Sequence, residues 1–344
     1  MPDLTSAVDS ARAGIGRYFT LVSALPATLL VMWHALLVAS GAWSDPPDLR
    51  AAAARLADIG LTHVALLLAV SLALGVVLHP LQFAFVQFLE GYWGLGRLAQ
   101  VIRQRWIWHQ RSHIAALRDL EDSSALAIEE QNDLDPHGRT RSDDDVRERI
   151  AILSVGEEAE RLTAEFPVQP DQIMPTRLGN VLRYYERNAG APYGLDTVRV
   201  LPYISRVAAP GDMDYVNDQR SQLDLAVRMV IVSLLCCLSG VVFLGGHGLW
   251  LLAALIPYAA AYLSYRGAVV AAGEYGRSLA VVIAVNRFAL YDRLRVTAPV
   301  DTRDERARNE ILGYLLAYST SDRNSVEYVG SAPPTDAGRA GGTR

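Results

Sequence analysis

The residues whose types and positions could do chemistry are few, and most of them lie where apolar blocks end. His79, Gln82, Gln87 and Glu90 cluster after Pro80, at the end of the second block. On a helix, 79, 82 and 90 fall roughly on one side, although Pro80 disturbs the phase. Arg266 and Glu274 close the fourth block; eight residues apart, they share a face but are too distant for a direct pair. Ionisable and polar groups at membrane depth often mark a substrate or ion path. These six could line the cytoplasmic mouth of a pore or vestibule. They could equally anchor helices at the inner interface, or satisfy one another within a bundle. His34 and His63, one per span in apolar surroundings, read as packed or interfacial side chains rather than ligands.

Other chemistry has little support. The two cysteines, Cys236 and Cys237, are adjacent in an apolar block. Neighbours on a helix point in different directions, so a disulfide between them is not expected. No CxxC or His/Cys spacing suggests zinc, and both read as small buried hydrophobes. Asp133-Leu134-Asp135-Pro136-His137-Gly138, with Asp144 at the twelfth position, resembles the opening of an EF-hand calcium loop. It has His137 where that loop has Asn or Asp, lacks the bidentate Glu at twelve and carries a proline inside. A solvated acidic loop is the expected reading. All 32 basic residues are arginine, so no phosphate-binding loop with its lysine can exist. G-x-G-x-x-G after a strand, H-E-x-x-H and G-x-S-x-G are absent. No strand-rich segment suggests an α/β enzyme, and neither catalysis nor a cofactor is expected.

What must position these residues is a set of membrane helices. The 344 residues are 51% hydrophobic, concentrated in four blocks around a polar middle. That is the pattern of a membrane protein with an inserted water-exposed region. The first span runs over 18–43, without charge, and closes on Trp43 before Asp45-Pro46-Pro47. The second begins near Ile59 and outlasts one bilayer crossing, with a kink expected at Pro80. The third lies within 225–244, with Arg228 at its first turn and Asp212 or Asp214 as the cap of its helix. Gly245-Gly246-His247-Gly248 then turns the chain into the fourth, 249–270, and the last two spans form a tight hairpin. The N-terminus lacks the cleavage pattern of a signal peptide.

Arginine bias sets the orientation. Arg12 and Arg17 precede span one; Arg97, Arg103, Arg105 and Arg111 follow span two; Arg220 and Arg228 open span three; Arg277, Arg287, Arg293 and Arg295 follow span four. The turn between spans three and four has none. Both termini and the central region are therefore expected in the cytoplasm. The absence of lysine beside Ala and Gly richness points to a GC-rich bacterial genome, hence a bacterial cytoplasmic membrane. A net charge of −5 argues against nucleic-acid binding.

In the central region, 95–120 reads as a helix with Leu95, Leu98, Ile102 and Trp106 on one face. Arg97, Gln104, Arg111 and Arg118 form a separate heptad-spaced face, and Arg105 and Arg111 interleave with Trp106 and Trp108. The helix could pack in a cytoplasmic bundle or lie on the anionic inner leaflet. Residues 121–145 are expected as an acidic excursion, 146–166 as a helix ended by Pro167 and Pro170. Met174-Pro175-Thr176-Arg177-Leu178-Gly179-Asn180 then opens a helix with Leu178, Val181, Leu182 and Tyr185 on its apolar side. Arg177, Asn180 and Arg183 fall near one another on the other side and are candidate contacts for a partner or the membrane surface. Asp196 could cap a short helix. With Tyr193-Gly194-Leu195-Asp196, this stretch resembles segments of uncharacterised bacterial four-span membrane proteins; the resemblance implies a shared layout and no activity.

The expected architecture is thus all-α: a polytopic membrane protein with four transmembrane helices and a helical cytoplasmic domain inserted between spans two and three. Its parts are an amphipathic N-terminus (1–17), spans one and two (18–93), the cytoplasmic domain (94–222), a transmembrane hairpin (223–271), a helical extension (272–330) and a disordered tail (331–344). Two functions fit: an oligomeric, channel-like assembly in the bilayer, or a membrane-anchored scaffold that binds a cytoplasmic protein through its helices. The first shares its layout with some bacterial anion channels, bestrophins among them, an analogy of architecture without that family's motifs. A transporter is less supported, since the two hairpins differ and no pair of broken helices is evident.

Overall fold

A computed structural model describes residues 24–134, 142–316 and 328–329. The expected amphipathic N-terminus, the start of the first span, most of the calcium-loop-like stretch and the tail lie outside the described residues. Among the described residues every named element is helical, and the one β feature is an isolated bridge between Val296 and Tyr328. The chain divides into two compact units, Met1–Tyr184 with Asn217–Tyr275, and Tyr185–Val216 with Gly276–Arg344.

Three helices are long and apolar enough to cross a membrane: Leu61–Leu78, Pro210–Leu244 and the run Gly248–Leu294. The apolar helix α1 (Leu25–Ala39) is shorter. After α1, α2 (Leu49–Ala57) starts where the Asp48 carboxylate accepts from the backbone N–H groups of Arg50 and Ala51, at 2.8 and 3.1 Å. Arg55 reaches back to the Ala39 carbonyl at 2.8 Å, satisfying one of the acceptors left over at the end of α1. Helix α3 (Leu61–Leu78) spans roughly 27 Å, close to a hydrocarbon core. Pro80, lacking an N–H, breaks the chain rather than merely kinking it, and α4 (Gln82–Glu90) restarts at once.

The long helix α9 (Pro210–Leu244) begins at Pro210, two residues before the expected Asp212 cap, because proline suits a first helical turn. It is followed by a 3₁₀ segment, Gly248–Ala254, and by α10 (Leu255–Leu294). Within the first unit, Ala27, Leu78, Val232 and Cys236 form one buried cluster, and Leu37, Ala42 and Leu244 another, so α1, α3 and α9 pack side by side.

The expected acidic excursion over 121–145 is not one loop. Helix α5 (Arg97–Leu134), 38 residues long, continues into it as far as Leu134, residues 135–141 lie outside the described residues, and α6 (Asp143–Thr163) starts on a capping box between Ser142 and Asp145. Small residues let the two helices approach as a hairpin: Ser124 meets Gly156, and Thr163 donates to the Glu121 carboxylate at 3.2 Å. Ile107, Ile114, Phe166 and Ile173 close its base.

The second unit contains the end of α7 (Arg177–Asn188), α8 (Thr197–Val207), the first turns of α9, the end of α10 and α11 (Thr302–Leu316). Asp196 caps α8 by accepting from the Arg199 N–H at 3.0 Å. The core here is mostly apolar but encloses a polar cluster. Glu305, 3% exposed, accepts from Arg287 at 2.8 Å and from the Tyr291 hydroxyl at 2.9 Å. Asn309 donates to Tyr291 at 2.6 Å and to the Tyr193 carbonyl at 2.8 Å. Burial, ahead of the other influences, raises the Tyr291 phenol's pKa.

Candidate functional site

Three arrangements in the first unit involve the residues singled out by sequence. The first surrounds Gln82. Its side-chain amide donates to both the backbone carbonyl and the carboxylate of Asp224, each at 3.1 Å, and accepts from Arg228 Nε at 2.9 Å. Arg228 is fully buried and Asp224 is 6% exposed. A buried guanidinium is tolerable only when it is hydrogen-bonded, and one uncharged amide here serves both ends of an i, i+4 acid–base pair on α9. The amide therefore ties the start of α4 to α9. Asp224 is a member the sequence reading missed.

Of the other pore candidates, His79 is exposed in the break after α3, while Gln87 and Glu90 are half-buried on α4. Arg266 is exposed on α10 and Glu274 half-buried two turns later.

The second arrangement is a joint between the end of α4 and the start of α7. Thr176 caps α7, accepting from the Gly179 N–H at 3.0 Å while its own hydroxyl donates to the Glu90 carbonyl at 3.0 Å. Asn180, fully buried, folds its amide back over the approach to the helix. It accepts from the Met174 N–H at 2.7 Å and donates to the carbonyls of Met174 and Thr176 at 3.1 and 2.9 Å. The Leu178 N–H donates to the Tyr265 hydroxyl at 3.3 Å, and Arg183 donates to the Tyr92 hydroxyl at 2.9 Å. Gly179 lies so near the Glu90 carbonyl oxygen that a Cβ would overlap it. Of the trio Arg177, Asn180 and Arg183, Asn180 holds the backbone and Arg183 holds Tyr92.

The third is a groove of about 710 Å³, lined by Phe88, Leu98, Ile102, Trp106, Arg177 and Tyr265 among others. It brings together Trp106 and Arg177, which sequence placed on separate helices. The Arg177 guanidinium stacks 4.1 Å over the Phe166 ring and lies 3.8 Å from the Glu165 carboxylate. Its Nη1 is buried with no hydrogen-bond partner. Burial lowers its pKa, and Glu165 only partly opposes this.

The remaining candidates lie on α5. Arg97 and Arg105 are exposed, Trp108 is 70% exposed, and Arg111 donates to the Pro170 carbonyl at 2.6 Å. Farther along the hairpin, large apolar side chains stay uncovered: Leu126 is 65% exposed, Ile150 60% and Leu153 41%. Among the described residues no three His, Cys, Asp or Glu side chains gather in a way that could hold a metal.

No protein-family model matches the chain, and neither does any curated protein or solved structure.

Proposed function

We propose that this chain is a membrane-anchored scaffold whose α5–α6 hairpin is the docking arm for a cytoplasmic protein. The observation that carries the reading is the uncovered apolar set Leu126, Ile150 and Leu153 on a hairpin whose arms α5 and α6 are roughly 57 and 32 Å long. Two helices alone cannot bury such residues, and exposed apolar surface of this kind marks an interaction site. The bonding of Gln82 to Asp224 and Arg228 supports the same reading, because it makes that residue a helix-to-helix tie rather than an open vestibule wall.

In this reading the anchor has four spans, α1 belonging to the first, with both termini and the hairpin cytoplasmic. The arginine bias and the likeness of 174–196 to segments of bacterial four-span membrane proteins support that topology.

The test uses the full chain in nanodiscs. Mass photometry should give a monomer or dimer, and liposomes carrying it should show no ion flux. A helical partner captured by the wild type should be lost on paired substitution Ile150→Asp and Leu153→Asp. A closed ring of about four to seven copies, with flux altered by Gln82→Ala, would overturn this reading in favour of a channel.

A further inference from the structure

We infer that the groove between α4, α5 and the start of α7 is a binding site for an anionic phospholipid of the adjoining leaflet, with its phosphate at Arg177. The inference is independent of the scaffold reading.

The lining divides by chemistry. Phe88, Leu98, Ile102 and Trp106 supply an apolar trough, and its volume of about 710 Å³ is within the range of sites that take an extended apolar ligand. Arg177, Tyr265, Thr176 and Gln110 supply its polar groups. The trough starts where α4 leaves the apolar break-and-restart of the second block, so it adjoins the bilayer's edge rather than open water. Trp93 and Trp106 both line it, and tryptophan favours the headgroup level, where an apolar ring and a polar N–H are both accommodated.

Arg177 selects the headgroup charge. Its guanidinium is desolvated, with Phe166 covering one face. Glu165 at 3.8 Å is beyond a good hydrogen bond and offsets the charge only in part. Nη1 is left unbonded by the described residues. A partly desolvated arginine, its side chain 21% exposed and short of a close acceptor, gains from a phosphate oxygen that accepts a charge-assisted bond from its exposed part. A zwitterionic lipid brings its own ammonium to the same place and gains less. A free phosphate would satisfy the arginine but leave the apolar trough uncovered.

The experiment is native mass spectrometry of the delipidated full-length protein, titrated separately with phosphatidylglycerol, phosphatidylcholine and inorganic phosphate. Phosphatidylglycerol should bind about tenfold more tightly than phosphatidylcholine, and Arg177→Gln should remove that difference. Arg118→Gln, which removes an exposed charge from α5 beyond the groove, should leave it intact. Because Arg177→Gln could disturb the fold, a second measurement reads the groove in the unaltered site. Quenching of tryptophan fluorescence by brominated phosphatidylglycerol should exceed quenching by the brominated choline lipid, and the excess should disappear when Trp93→Phe and Trp106→Phe are combined. Equal binding of both lipids, or an excess that survives Arg177→Gln and the double tryptophan substitution, overturns the assignment. So does phosphate binding as tightly as the lipid, and so does an absence of lipid adducts, which would leave the groove to a protein segment.

Discussion

The joint at 174–183 and the α5–α6 hairpin are built from opposite materials. In the joint, a few residues carry most of the polar bonds: Thr176 and Asn180 together tie four backbone groups and a carbonyl 86 residues away. In the hairpin, the 21 residues of α6 run beside the later part of the 38-residue α5 on small-residue contacts, and several large apolar side chains face outward. The joint has no slack, so its residues are there to hold. The hairpin has surface to spare, so its residues are there to be met. Residue type alone did not separate these roles: Arg177, Asn180 and Arg183 looked like contacts, and the acidic half of α5 looked like a loop.

The largest loss of stability is expected from Asn180→Ala. The substitution leaves the part-buried N–H and carbonyl of Met174 without their Asn180 partner and takes one of two bonds from the Thr176 carbonyl, which keeps the Asn180 backbone N–H, a loss of about 2–4 kcal/mol. Thermal unfolding of the protein in detergent, followed by intrinsic fluorescence, should show a midpoint several degrees lower. A midpoint unchanged within a degree would mean that the joint is not what holds α7 to the end of α4.

Gln82→Ala comes next and carries the comparison into the spans. It removes the amide that serves Arg228 and Asp224, both buried, and about 2–3 kcal/mol should be lost. Gln82→Glu sharpens the point. A second carboxylate beside Asp224 adds like-charge repulsion there, while strengthening the bond to Arg228. Its midpoint should therefore fall between those of the wild type and the alanine variant.

The hairpin should behave differently. Ile150→Asp with Leu153→Asp replaces side chains already 60% and 41% exposed, so the unfolding midpoint should move by less than about 0.5 kcal/mol equivalent. Association with the partner should nonetheless be lost, because an interface core tolerates charge poorly. A large drop in the midpoint would show that these residues are packed in the protein as it exists, and would remove the basis for a docking arm.

These differences explain what could be read beforehand. The long helices α3, α9 and α10 were visible because each carries an apolar stretch of about 18 residues with few charges, enough to cross a hydrocarbon core, where an open-ended segment must be helical to satisfy its own backbone. The Asp196 cap was visible because its donor is three residues away. Gln82 was picked out as a polar residue at depth, but its partners Asp224 and Arg228 lie more than 140 positions along the chain. Periodicity carries no information over that distance. The continuation of α5 through 121–134 was hidden for another reason. Its contacts use Ser124, Ala127 and the backbone around Gly156, and small residues leave no apolar stripe to detect.

The same substitution made in each region gives the sharpest contrast and the smallest effect. Gly179→Ala places a methyl group on the Glu90 carbonyl oxygen, a backbone atom that can move only if α4 moves, and should destabilise by about 1–3 kcal/mol. Gly156→Ala meets an obstacle too, but it is the Ser124 hydroxyl, at the end of a side chain that can rotate. Rotation would break that hydroxyl's 2.8 Å bond to the Glu121 carbonyl, worth about 1 kcal/mol. Against this, alanine gains about 1 kcal/mol over glycine inside a helix. The two terms nearly cancel, so Gly156→Ala should leave the unfolding midpoint within about a degree of the wild type. Parallel unfolding curves of the two variants decide the matter. If they lose equal stability, the hairpin's close approach is as rigid as the joint's, and the division between a part that holds and a part that is met does not stand.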